Sequence, residues 1–202
     1  MLLNWPSPFL FWTEIENHQQ LKEELKPKIL EQSSDMKFYN KPMQLRKPGD
    51  STWNCEVITS YFDRESSNSL FTKDILYSII SKPLDDLFLE EKCPMMNKPK
   101  NTYISEIWYN VYREGYEQEI HAHHGATLSG IYILELNEPN TTMFFSHNTS
   151  FAYCGDTKFM GAYKTDHIKE GNVLLFPSEF MHCVKKSTKS RITISFNLLC
   201  DL

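Results

Sequence analysis

The sequence predicts a mainly β chain with supporting helices, its sheets arranged as a sandwich or barrel. Three observations carry this expectation. From about Thr102 to the C-terminus, short β-rich runs alternate with turn residues. Upstream, apolar residues recur at helical steps along charged segments. Hydrophobic residues make up 41% of the chain, with 7 glycines and 10 prolines, a composition that fills a core and fits neither disorder nor a fibre. At 202 residues, one domain spanning 1–202 is expected. Within it, 1–100 forms a helix-containing support region and 101–202 the β core.

Taken in order, "MLLNWPSPFLFW" (1–12) is apolar but lacks a basic flank and carries Pro6 and Pro8, so it reads as an opening strand rather than a signal peptide. In "HQQLKEELKPKILEQ" (18–32), Leu21, Leu25 and Ile29 sit at four-residue steps, one apolar stripe on a helix that Pro27 is expected to bend. The stretch 72–92 is a second helical region, and Pro83 divides it into two short helices or one bent one. Seven strands are then predicted, at 103–114, 117–123, 127–136, 141–147, 172–177, 182–187 and 191–199. The polar segment 148–170 reads as a loop or lid, and its Phe151, Tyr153, Phe159 and Tyr163 are candidates for substrate contact or for ordinary packing.

A formal net charge of -5 argues against a general nucleic-acid or membrane-surface binder. No run approaches the roughly 20 apolar residues of a spanning helix. The cysteines Cys55, Cys93, Cys154, Cys183 and Cys200 form an odd set without a CxxC pair, which fits reduced thiols and a cytoplasmic protein. The Asn-x-Thr/Ser matches at Asn140 and Asn148 then carry little weight.

The chemistry concentrates in "EIHAHHGATLSG" (119–130), with three of the seven histidines inside four positions. On a strand, His121 and His123 project from one face and Ala122 from the other. Two neutral imidazoles on one face can share a divalent metal at about 2.0–2.1 Å. Solvated histidines at a strand end are the competing reading. His124 follows the strand end and is expected to point elsewhere. A second block, "EGNVLLFPSEFMHCVKKSTKSRITISFN" (170–197), presents a buried strand, a Pro-Ser turn, His182, and Arg191 on a new strand.

In "IWYNVYREGYEQEIHAHHGATLSGIYIL" (107–134) and "GNVLLFPSEFMHCV…RITISFN" (171–197), the chain resembles the iron(II)- and 2-oxoglutarate-dependent oxygenases, and more closely a phage and marine-bacterial branch with an HxH first motif. The resemblance implies a double-stranded β-helix, a cupin-like jelly roll with the metal in its mouth. It implies Fe(II), 2-oxoglutarate and O2, and hydroxylation of an amino-acid side chain, free or within a polypeptide, with release of succinate and CO2. Carried over by residue, His121, His123 and His182 are the metal ligands, and Arg191 pairs with the distal carboxylate of 2-oxoglutarate through its planar donors. Thr193 shares the face of Arg191 and adds a hydroxyl to the same site; Ser195 and Asn197 lie further along. Trp108, Asn110 and Tyr112 share a strand face that lines the co-substrate pocket or packs the core. The usual triad is two His and one carboxylate, so His123 is a departure, and Glu119, Asp156 or Asp166 is the alternative source of a carboxylate. Three histidines are the favoured set.

The resemblance implies a small-molecule co-substrate and no nucleic acid or membrane, and, for a phage gene, the host cytoplasm. A homodimer is compatible with it, and the N-terminal half buttresses the sheet. Two other readings stand beside it: a cupin-like three-His metal enzyme that needs no 2-oxoglutarate, and a non-catalytic β-sandwich binding module.

Overall fold

A computed structural model describes residues 9–34, 56–63, 69–90, 99–145 and 162–201 of the chain, without the side chains of 162–164. Its elements in chain order begin with β1 (Phe11–Glu14), α1 (His18–Ser34), β2 (Ile58–Thr59) and α2 (Lys73–Leu76). A π-helical turn (Tyr77–Ser81) joins α2 to α3 (Lys82–Leu89). The β region follows as β3 (Thr102–Tyr112), β4 (Gln118–His121), β5 (Leu128–Leu136), β6 (Thr142–Phe145), β7 (Ala162–Lys164), β8 (Asn172–Pro177), β9 (His182–Val184) and β10 (Arg191–Cys200).

The strands form two antiparallel sheets, one ordered β1-β8-β5-β10-β3-β2 and the other β4-β9-β6-β7. From β3 onward the chain crosses between the sheets after nearly every strand, so four strands of the larger sheet face four of the smaller. This is the double-stranded β-helix. All seven predicted strands are present. The stretch 148–170, expected to be loop, contributes β7 at its far end, where backbone pairing with β6 supplies what the sequence pattern lacks.

Alternation along the larger sheet sorts its residues into two layers. On one face Tyr109, Val111, Tyr132, Leu134, Val173, Leu175, Ile192, Ile194 and Phe196 join the core with Leu21, Leu25 and Ile29 of α1 and Ile75, Ile79 and Leu87 of the α2–α3 region. On the other, Ile131, Ile133, Leu174 and Phe176 meet Phe144 of the smaller sheet. Both faces are covered, which is why β8 contains the continuous apolar run VLLF. The N-terminal helices therefore buttress the sheet from behind and leave its inner face to the site. Lys22 and Lys26 of α1 fasten this layer through Glu135 and Glu170.

Pro27 lies inside α1 without ending it, its ring on the exposed side. Pro83 is accommodated differently. The Lys82 N–H reaches back to the Tyr77 carbonyl, a π-type bond, and Pro83 then sits in the first turn of α3, where a missing N–H is tolerated. The second helical region is thus one uninterrupted helical stretch from Lys73 to Leu89 with a π turn ahead of Pro83.

Candidate metal and anion site

Strand β4 is shorter than expected and ends at His121, which lies opposite His182 of β9. A bulge between Gln118 and His121 breaks the alternation, so both face inward. Glu119 is consequently exposed rather than turned into the cavity. Asp166 is exposed as well, and neither acid joins the histidines. Asp156, Phe151, Tyr153, Phe159 and the Tyr163 side chain lie outside the described residues. His123 lies beyond the strand, its N–H donating to the Ser178 carbonyl (2.8 Å). His124 points away, its ring 80% exposed and paired with Glu179 at 2.8 Å.

His121, His123 and His182 each offer a nitrogen within 4.8 Å of the others, a group able to hold a metal ion. Their tautomers follow from their partners. Nδ1 of His121 lies 2.8 Å from the Glu119 carbonyl oxygen, and Nδ1 of His182 lies 2.9 Å from that of Phe180. A carbonyl only accepts, so each Nδ1 carries the proton and Nε2 keeps its lone pair. Nδ1 of His123 donates to Asn197 Oδ1 at 2.7 Å, with the same result. Outer partners of this kind orient metal-binding imidazoles. The rings also stay neutral: burial pushes His182 well below its ordinary range and lowers His121, and it takes His123 down to about 4 with help from the neighbouring His121.

Arg191 borders the same cavity, 1% exposed. Its Nη1 donates to Asn140 Oδ1 (3.2 Å) and its Nη2 to Thr142 Oγ1 (3.2 Å), while its carbon lies 5.1 Å from the Tyr112 ring centre. Burial lowers its pKa, with Tyr112 and Glu138 opposing the shift, but a guanidinium remains a cation. Among the described residues no carboxylate forms an ion pair with it, and its Nε has no hydrogen-bond partner. Trp108 Nε1 and Asn110 Oδ1, both at this cavity, are also buried without partners.

Orphaned polar atoms are rare in folded proteins, and three of them meet here, the donors Arg191 Nε and Trp108 Nε1 and the acceptor Asn110 Oδ1, at a cavity with no acid in its lining among the described residues. The two donors and the guanidinium charge suit a ligand bearing negative charge and hydrogen-bonding oxygens. The enclosed space is small, about 10 Å³, on the order of one water molecule.

The other residues singled out from the sequence have places. Thr193 and Ser195 follow Arg191 at alternate positions of β10 and line the cavity; Ser195 Oγ accepts from Asn110 Nδ2 (3.2 Å). Trp108, Asn110 and Tyr112 line it from β3, on the face opposite the core residues Tyr109 and Val111. Asn197 supports His123 instead. Sequence reasoning missed Gln118, which accepts from the Tyr112 hydroxyl (2.6 Å) and donates toward His121 Nε2 (3.4 Å). It also missed Asn140 and Thr142, the residues that hold the guanidinium. Asn140 had drawn notice as part of a glycosylation sequon, yet it is buried and spent on Arg191 and Thr165. Only the folded register brings these side chains in.

Residues 106–197 match the family model described as "Putative 2OG-Fe(II) oxygenase". Among solved structures, the chain is similar to a prolyl hydroxylase in complex with a hypoxia inducible factor oxygen degradation domain peptide fragment, from Trichoplax adhaerens. The TM-score is 0.57 at 14% identity, over 95% of this chain and 83% of that one. A Pseudomonas putida prolyl-4-hydroxylase gives a TM-score of 0.52 at 10% identity, over 93% and 91%. The non-heme alpha ketoglutarate dependent epimerase from nogalamycin biosynthesis gives 0.60 at 8%, over 96% and 78%. At these identities the likeness is one of fold. No curated protein matches the chain in sequence.

Proposed function

We propose that the protein is a 2OG-Fe(II) oxygenase, the family whose model residues 106–197 match, and that it hydroxylates an amino-acid side chain, free or within a polypeptide, releasing succinate and CO2. In this reading His121, His123 and His182 hold Fe(II), and Arg191, with Thr193, binds the distal carboxylate of 2-oxoglutarate. Asn110 and Ser195 complete the lining beside it. The observation that carries the reading is Arg191: a buried cation with no ion-paired acid among the described residues and with its Nε unpartnered, bordering the same cavity as three imidazoles able to hold a metal ion.

Bound together, ferrous iron and 2-oxoglutarate supply oxygen activation coupled to oxidation of a C–H bond. The chain supplies placement and charge. Three neutral ligands leave a divalent ion its full charge, where the usual carboxylate removes one unit. With Arg191 the cavity then presents about three positive charges, a strong attraction for a dianion. Asn140 and Thr142 fix the guanidinium plane, so its remaining donor points in a set direction. Trp108 and Tyr112 wall off the cavity, which keeps bulk water from competing for the charged groups.

Peptide-bound substrate receives support from the prolyl hydroxylases of like fold, one of them in complex with a peptide. The epimerase of equal likeness shows that the fold admits other chemistry. A cytoplasmic location is supported by Cys183 and Cys200, which are free thiols.

The test is anaerobic titration of the metal-free protein with Fe(II) and then 2-oxoglutarate. A weak visible charge-transfer band is expected, with 2-oxoglutarate affinity falling at least tenfold in Arg191→Ala. Metal binding with intact fold but no band, or an unchanged affinity in Arg191→Ala, would favour a three-His enzyme that uses no 2-oxoglutarate.

A further inference from the structure

We propose that Glu106 and Asn197 form a hydrogen-bonded relay to His123, through which a distant carboxylate polarises the imidazole that stands where a carboxylate ligand is usual. The inference rests on the three-His reading of the site and concerns why an imidazole serves in the third position.

The register builds the relay. Asn197 of the central strand β10 lies opposite Glu106 on β3 and opposite Ser129 on β5, so the three side chains stand in a row across the sheet. On β3 the register shifts just past this point, and Ser105 donates its hydroxyl to the Asn197 carbonyl at 3.1 Å. The shift interrupts the regular ladder beside Glu106.

Proton placement along the row is forced. The Glu106 carboxylate only accepts, and it lies 2.9 Å from Asn197 Nδ2, so the amide NH2 must face it. Asn197 Oδ1 therefore faces the opposite way, where it accepts from His123 Nδ1 (2.7 Å) and from Ser129 Oγ (2.7 Å). Ser129 in turn lies 2.9 Å from Ser178 Oγ. His123 accordingly carries its proton on Nδ1 and its lone pair on Nε2, and the other tautomer would set a lone pair against Asn197 Oδ1. The carboxylate also polarises the amide, which makes Oδ1 a stronger acceptor and His123 Nε2 a better donor to a metal. Asn197 is 5% exposed and Ser129 0%, so little solvent competes with these bonds. Glu106 and Asn197 act through His123 and are positioning residues.

Exchanging the two groups tests the relay. Asn197→Leu removes it. Asn197→Asp alone sets two carboxylates against each other. Glu106→Gln combined with Asn197→Asp restores the row: the amide introduced on β3 donates to the carboxylate introduced on β10, and that carboxylate accepts from His123. The charge then stands one group nearer the metal. Co(II) affinity of each variant is measured by anaerobic titration, alongside the Co(II) ligand-field absorption and the melting temperature of the metal-free form. Losses of about 10–100-fold in affinity are expected for Asn197→Leu. Asn197→Asp should also bind more weakly, and the double variant should recover wild-type affinity and spectrum. A double variant that folds like wild type yet binds Co(II) no better than Asn197→Leu would overturn the proposal. So would an Asn197→Leu protein with unchanged affinity and spectrum. Failure of the wild-type protein to bind Co(II), with no difference from His182→Ala, would instead reject the three-His reading beneath it.

Discussion

The imidazoles of this site are held neutral by their surroundings, and that neutrality carries a cost that pH exposes. Burial takes His123 from 6.5 to about 4 and lowers His121 and His182 in the same direction. Between these limits the unfolded chain binds protons that the folded chain refuses, so stability increases with pH through this window and is lost as pH falls from about 6.5 toward 4. For His123 alone the full shift corresponds to roughly 3 kcal/mol. Denaturant unfolding of the metal-free protein across that range should show this decline. The double variant His123→Ala/His182→Ala should show a shallower one, and equal slopes would mean the histidines are not the groups refusing protons. Arg191 belongs to the same scale. Its buried charge is tolerated because Asn140, Thr142 and the Tyr112 ring surround it. None of them cancels it, so the attraction remains for a ligand.

At the scale of elements, β5 and β10 form the spine that carries both core and site. Ile192, Ile194 and Phe196 look toward the helices while Arg191, Thr193 and Ser195 look into the cavity. The parity that placed Thr193 beside Arg191 holds along this strand. It fails on β4, where the bulge turns Gln118 inward and Glu119 out. Gly130 of β5 lies opposite Phe196, whose ring covers it: a Cβ at position 130 would stand 2.1 Å from Phe196 Cζ. The ring is fully buried and has little room to yield. Gly130→Ala should therefore destabilise the fold by about 1–3 kcal/mol, read as a lower denaturation midpoint with an unchanged slope. A neutral result would show that Phe196 can shift within the core.

For the molecule as a whole, the site joins the two sheets. His121 and His182 stand on strands of the smaller sheet, whereas His123 is tied through Asn197 and Ser129 to the larger one. An ion held by all three draws the sheets together and binds the folded state alone. At one hundred times its Kd, the metal should add about 2.7 kcal/mol, a rise of roughly 5–10 °C in Tm. A chelator should abolish that rise, and His123→Ala should forfeit most of it. A Tm rise with Mn(II) or Co(II) that His123→Ala and His182→Ala retain in full would place the ion elsewhere. The sequence by itself determined the strand-rich half, the helical stripe of α1, the histidine pair and the order His121, His123, His182, Arg191, because periodicity and residue chemistry are local properties. The gathering of three histidines without Glu119 or Asp166, the cradle around Arg191 and the row from Glu106 to Ser129 were decided by tertiary structure. A bulge and a cross-strand register fix which side chains meet, and neither is written in the spacing of residues along one strand.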